Sequence, residues 1–325
     1  MKGTLMSGAV PAQLADMPVE QATVSSRFAG QAKLFPWLLF GPTILYLLVL
    51  SIFPLLYSLG VSLYDYTLGG DAAFIGLQNY RDLLTDSVFW RKTWTTLQIT
   101  LFAVGIELAL GLVCALVLNR RLSGIGAIRL IIYLPMMMSP LVIGYFWKFI
   151  LDGSFGVLNY LISFLGIPPQ QWTIDLTLAK VSIVLVDVWQ WTPFVILILL
   201  AGLQSVPPQL YEAATLDRAS TWMQFTRITL PYLTTPILLA LLFRTIDTFK
   251  IFDIVYVVTA GGPGDLTETL SVFAFYEGFK FSQLGRAAAI SWLVVIVINI
   301  LATVLIKMLT RQRSKTVLDE EGAVA

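Results

Sequence analysis

Apolar residues run almost unbroken through six stretches of this 325-residue chain, at about 36–62, 94–118, 128–151, 178–202, 233–259 and 286–308. Each is long enough, at 1.5 Å of helical rise per residue, to cross a bilayer core of about 30 Å. The pattern predicts an all-α polytopic membrane protein with six transmembrane helices. A polar island interrupts it between the fourth and fifth stretches: Pro207 to Pro231, reading PPQLYEAATLDRASTWMQFTRITLP.

The connecting segments carry their own patterns. Residues 1–33 are small and polar, and the apolar run after them starts too late and is too long for the core of a cleavable signal; they read as a tail. The first span holds Pro42 and Pro54, which membrane helices tolerate when neighbours re-satisfy the freed carbonyls. After it, Phe74, Leu77, Tyr80, Leu83 and Leu84 fall at helical spacing and predict an amphipathic interfacial helix. In the 152–177 segment, GVLNYLISFLGIP predicts a short helix closed by Gly166 and Pro168.

Composition agrees with the pattern. The chain is 57% hydrophobic and 13% charged, with a mean hydropathy of +0.79, far from the quarter of charged residues usual in soluble domains. It has no histidine and one cysteine, Cys114 in an apolar run, so histidine-based triads are excluded and no intrachain disulfide can form. No phosphate-binding G-x-x-x-x-G-K-[ST] motif occurs. Catalytic residues and metal ligands are expected to be absent, as is a nucleic-acid partner, since no long basic run occurs.

Lysines and arginines set the orientation. The tail, the 119–129 and 203–232 segments and the C-terminus together hold twelve; the segments on the other side hold five, namely Arg81, Arg91, Lys92, Lys280 and Arg286. The positive-inside rule then places both termini and the island in the cytoplasm.

Within the island, Pro207 and Pro208 suit a helix start. Leu210, Ala213, Ala214 and Asp217 share one face, whose alanines allow close approach by another surface. Thr221 followed by Gln224 is a capping-box pattern for a second helix bearing Trp222, Phe225 and Ile228 and stopping at Pro231. These residues fit either a docking element or an amphipathic connector under its own bundle. In the fifth span, Arg244, Asp247, Lys250 and Asp253 recur every three residues with alternating sign. They fit a self-neutralising structural ladder or a wet lining for a polyhydroxylated solute. Asp187, Trp189, Gln190 and Trp191 in the fourth span, Tyr145 in the third and Tyr256 beside the ladder are further lining candidates, with Glu107 either a cation's partner or a lining group. Pro135 and Pro193 are candidate kink sites.

At the island the residues resemble a known family. Glu212-Ala213-Ala214, three residues, a turn position, nine residues, Ile228, one residue and Leu230-Pro231 resemble the EAA loop of bacterial ABC-importer permeases. The likeness implies the type I importer transmembrane fold over 93–306, with a coupling loop at 203–232. It implies that Glu212, Ala213, Ala214, Asp217, Arg218, Ala219 and Phe225 face a cytoplasmic ATPase. The family's usual glycine falls on Arg218, where a left-handed turn would strain an arginine. Phe252-Asp253, Thr259 with Gly261-Gly262-Pro263 and Thr267-Glu268-Thr269 are similar to the carbohydrate branch, the maltose and glycerol-phosphate group. That branch implies a second permease, two ATPases that hold the ATP and Mg while this chain binds no cofactor, and an extracytoplasmic binding protein delivering a sugar-like solute. Segments 34–92 and 307–325 are expected to be a first helix with its amphipathic extension and a cytoplasmic tail. An ion-coupled secondary transporter using the charges of the fifth span is the alternative from another class; an enzyme would lack any nucleophile–base pair.

Overall fold

The structure, a computed structural model, describes residues 39–120 and 124–324, with side chains up to residue 310; the 1–33 tail lies outside the described residues. The chain divides into two units, one ending at Tyr57 and one beginning at Ser58. Helix α1, Leu39–Val61, contains a π-turn at Leu48–Ile52, and Phe53 stacks on Tyr57.

The second unit carries the bundle. Strands β1 (Tyr64–Asp65) and β2 (Ala73–Phe74) form a two-residue antiparallel pair with Tyr64 opposite Phe74. Phe74 is therefore not on the helix its spacing predicts; α2 covers Gln78–Thr85 only, and of its apolar face Leu83 is buried. Asp86 caps the next helix by accepting the Val88 amide, so α3, Ser87–Leu118, starts well before the expected residue 94. The predicted third span is broken: α4 (Ile125–Tyr133), a 3-10 turn at Pro135–Met137 and α5 (Pro140–Ile150) occupy it. Pro135 and Pro140 remove amide donors there, and the Gln190 side-chain amide donates to the Met138 carbonyl at 3.3 Å. Helix α6, Val157–Ser163, ends at Gly166 with φ 73°, where the Gly166 and Ile167 amides reach back to Ser163 and Ile162 as the spacing predicted.

Helix α7 is Leu178–Gln204, α8 is Pro208–Leu216, and α9 runs from Thr221 to Phe249. The helix expected to stop at Pro231 instead continues through it. A π-turn at Phe225–Thr229, closed by the Leu230 amide on the Phe225 carbonyl, widens the turn where the proline ring would otherwise strike the preceding coil. At its other end α9 stops at Phe249, short of the predicted 259, and a separate α10, Asp253–Val258, follows. Helices α11 (Leu270–Phe275) and α12 (Leu284–Val324) complete the unit. Among the described residues, five helices are long and apolar enough to cross a membrane: α1, α3, α7, α9 and α12.

Side-chain packing gives the directions. Ile99 of α3 clusters with Ile183 and Val186 of α7; farther along both helices Ala115 clusters with Val195 and Leu199, joined by Leu233 and Ala240 of α9. Helices α3 and α7 therefore run parallel and α9 runs opposite. A third cluster of Leu83, Phe89, Phe249, Leu270 and Ile290 closes the end away from the island. Two glycines set helix separation: a Cβ on Gly111 would lie 2.5 Å from Val195 Cγ1, and one on Gly202 would lie 2.5 Å from Pro236 Cγ. Small residues at such crossings let backbones approach, which is the main source of helix association in lipid. Gly202→Leu should therefore destabilise the detergent-purified chain by about 1–3 kcal/mol, seen as a lower unfolding temperature. Gly105→Leu, where a Cβ meets nothing within 4 Å, should leave it unchanged.

Candidate functional site

The island folds as a helix–turn–helix whose two ends are tied. Pro207 stands at the N-cap of α8 and Pro208 opens it, as the spacing indicated. Along α8, Glu212, Ala213 and Asp217 are exposed, and Ala214 is half-buried. The turn is closed by Arg218 donating its amide to Thr215 and Ala219 donating to Ala214, the two bonds of a Schellman ending. That motif needs a left-handed residue, and Arg218 supplies it at φ 55°. The turn therefore has the shape a glycine would give it, with the guanidinium exposed outside. The cap of the second helix lies one residue earlier than expected: Ser220, not Thr221, accepts the Met223 amide at 3.2 Å. Gln224 closes back onto the Ala219 carbonyl. Tyr211 bonds Thr229 across the hairpin at 2.9 Å, and the rings of Trp222 and half-buried Phe225 pack 5.6 Å apart. Replacing Arg218 by glycine should relieve the left-handed strain and stabilise the loop by roughly 1 kcal/mol, measured as slower proteolysis at the turn.

The second constellation lies between the first two apolar clusters. Arg244 of α9 is buried, and its Nε and Nη2 reach the two oxygens of Glu107 on α3 at 2.6 and 2.9 Å. Nη2 also lies 2.8 Å from Asp187 of α7 and from Thr248 Oγ1, and Nη1 donates to Asp247 at 3.0 Å. The guanidinium carbon sits 5.0 Å from the centroid of Trp191. One side chain thus joins three helices, and the expected choice for Glu107 resolves as partner to a cation. The ladder holds for two rungs, Arg244–Asp247 and Asp247–Lys250 at 3.5 Å. The third rung fails because the helix ends before Lys250.

A cavity of about 280 Å³ opens beside this knot, lined by Pro140, Asp187, Trp191, Asp247, Lys250, Phe252 and Asp253 with their backbone neighbours. Of the lining candidates, Asp187, Trp191, Asp247, Lys250 and Asp253 meet here. Trp189 does not; it packs edge-on against Trp147. Gln190 is buried on Met138, Tyr145 is exposed on α5, and Tyr256 stacks on Phe252 behind the wall. Asp187 and Trp191 stand four residues apart and share a helix face, whereas Trp189 points elsewhere.

At the end away from the island, the glycine-rich turn is braced rather than loose. Thr267 bonds Thr259 at 2.8 Å and the Gly262 carbonyl at 2.6 Å. Buried Lys92 binds the Asp265 carboxylate, its carbonyl at 3.1 Å and Glu268 at 3.4 Å. The hydrogen bond from Lys92 holds the Asp265 carboxyl below its usual range, while burial raises that of Glu268 despite the same lysine.

A family profile described as "Binding-protein-dependent transport system inner membrane component" matches residues 107–315. The chain belongs to this family. It is a multi-pass membrane permease component of an ABC importer, not an enzyme, and nothing in the assignment supports the ion-coupled alternative. "Probable ABC transporter permease protein y4oQ" of Sinorhizobium fredii is 42% identical over 281 residues, 86% of this chain and 90% of that one. "Trehalose/maltose transport system permease protein MalF" of Thermococcus litoralis is 38% identical over 279 residues, 86% of this chain and 94% of that one. Among solved structures, a bacterial ABC transporter involved in the import of the acidic polysaccharide alginate superimposes with a TM-score of 0.75 at 22% identity, covering 88% of this chain and 99% of the other. The permease therefore has the type I importer transmembrane fold, and the matched region begins at Glu107 and contains the Arg244 knot and the island.

Leaving two carboxylates buried without their cation is costly. Arg244→Met in the permease should lose about 3–5 kcal/mol of stability, read from thermal unfolding in detergent. Adding Glu107→Gln and Asp187→Asn should recover much of that loss.

Proposed function

We propose that this permease imports a sugar or sugar-like solute across the bacterial inner membrane, driven by ATPases that dock on the Pro207–Pro231 loop. The observation that carries this reading is the unbroken course of α9. Its first turns form the second arm of the exposed loop, and its last turns bear Arg244 and Asp247 at the cavity. A helix held by three partners near one end transmits a push at the other as a rigid-body movement, the mode by which packed helices switch between two arrangements.

The exposed Glu212, Ala213, Asp217 and Arg218, with half-buried Ala214, Ala219 and Phe225, form the ATPase face of the loop. Two cytoplasmic ATPases hold ATP and Mg, this chain binds no cofactor, and a second, homologous permease completes the pore. The excess of lysine and arginine around the island supports a cytoplasmic loop and cytoplasmic termini. An extracytoplasmic binding protein then delivers solute onto the 65–93, 152–177 and 259–285 segments, the last containing the braced turn. The sugar assignment is supported by the trehalose/maltose relative and by a lining of carboxylates, an ammonium and an aromatic face, groups suited to hydroxyls and sugar C–H surfaces. Asp187, Asp247, Lys250 and Asp253 form the solute wall; Trp189, Gln190, Tyr145 and Tyr256 stand outside it.

Reconstituted into vesicles with its partner subunits, the complex should take up solute only with ATP and the binding protein. Uptake by the permease on an ion gradient alone would refute the proposal. Glu212→Lys should abolish solute-stimulated ATP hydrolysis while the chain still inserts and folds; unchanged coupling would reduce the loop to a connector.

A further inference from the structure

The cavity beside the Arg244 knot has a definite sign. Asp187, Asp247 and Asp253 line it, and Lys250 is the cation among its lining side chains. Arg244 does not add a free positive charge, because its donors are already directed at Glu107, Asp187, Asp247 and Thr248. Its outer face is covered by the Trp191 ring. Lys250 is itself drawn to Asp247 at 3.5 Å. The Asp253 carboxylate makes no side-chain hydrogen bond or ion pair among the described residues, and it lines the cavity, so it is available to a solute.

Taken together, four carboxylates (Glu107, Asp187, Asp247 and Asp253) stand against two cations. Low-dielectric walls concentrate such a field rather than screening it. We propose that this cavity selects solutes by charge: it takes uncharged polyols, with hydroxyls donating to Asp247 and Asp253 and a ring face against Trp191, and it rejects acidic sugars. This rests on the reading of the cavity as the solute path and adds the class of solute to it.

The sign of the field can be read without knowing the natural solute. In the complex assembled in nanodiscs, a single cysteine is placed at Phe252 in a Cys114→Ala background, and another at exposed Phe155 as reference. Each is modified with a trimethylammonium-ethyl and a sulfonatoethyl methanethiosulfonate, reagents differing chiefly in charge. The cation-to-anion rate ratio at 252 should exceed that at 155 by about tenfold or more. In Asp247→Asn/Asp253→Asn it should fall toward the reference, and glucose should slow labelling at 252 where glucuronate does not. Equal ratios at both positions, a preference for the sulfonate, or protection by glucuronate would overturn the proposal. ATP- and binding-protein-dependent uptake measured on the same preparation separates the two levels. Intact uptake with a flat ratio removes the charge selection alone, whereas uptake without ATPase removes the underlying reading.

Discussion

A guanidinium held in the middle of a membrane bundle must be surrounded by acceptors, and that requirement organises this permease. Arg244 meets it with carboxylates from two other helices, a carboxylate and a hydroxyl from its own, and an aromatic face. An isolated ion in hydrocarbon costs several kcal/mol even after relaxation, and each partner removed leaves another charge exposed to the same cost. The knot is therefore a constraint on register: α3, α7 and α9 can slide past one another only by breaking charge-assisted bonds. The apolar clusters on either side are compatible with many registers, since leucine and valine pack against lipid about as well as against each other.

The same constraint makes α9 a lever. It is anchored at Arg244, braced against Gly202 through Pro236, and continued through the π-turn into the exposed loop. Pro231 would break an ordinary helix at the membrane boundary; the widened turn keeps it continuous. Arg218 contributes at the far end, where its left-handed backbone closes α8 and lets the chain reverse within a few residues.

How much of this was legible beforehand depends on range. Short-range signals served well: the apolar runs located the spans, Gly166 ended α6, and Pro208 began α8. They failed by small steps where two neighbours could do the same job. Ser220 took the cap that the spacing assigned to Thr221, because either hydroxyl could face the orphan amides. The longer misreadings came from treating hydropathy as continuity. Residues 128–151 and 233–259 are apolar throughout, yet each breaks, at Pro135–Pro140 and at Lys250–Phe252, since apolar side chains are equally content on one helix or two.

Membrane crossing, the polar hairpin at Pro207–Pro231 and the charges recurring every three residues beyond Arg244 can all be read along the chain alone. These are properties of local composition and spacing, and no distant residue can change them. Which charges meet is settled by the packing of the helices. Glu107 lies 137 residues from Arg244 and Asp187 lies 57, and nothing local says that a lone glutamate in one span belongs to an arginine in another. Pairing across helices also decided that Trp191 rather than Trp189 faces the cavity, because which side of α7 turns inward is set by what α3 and α9 place against it.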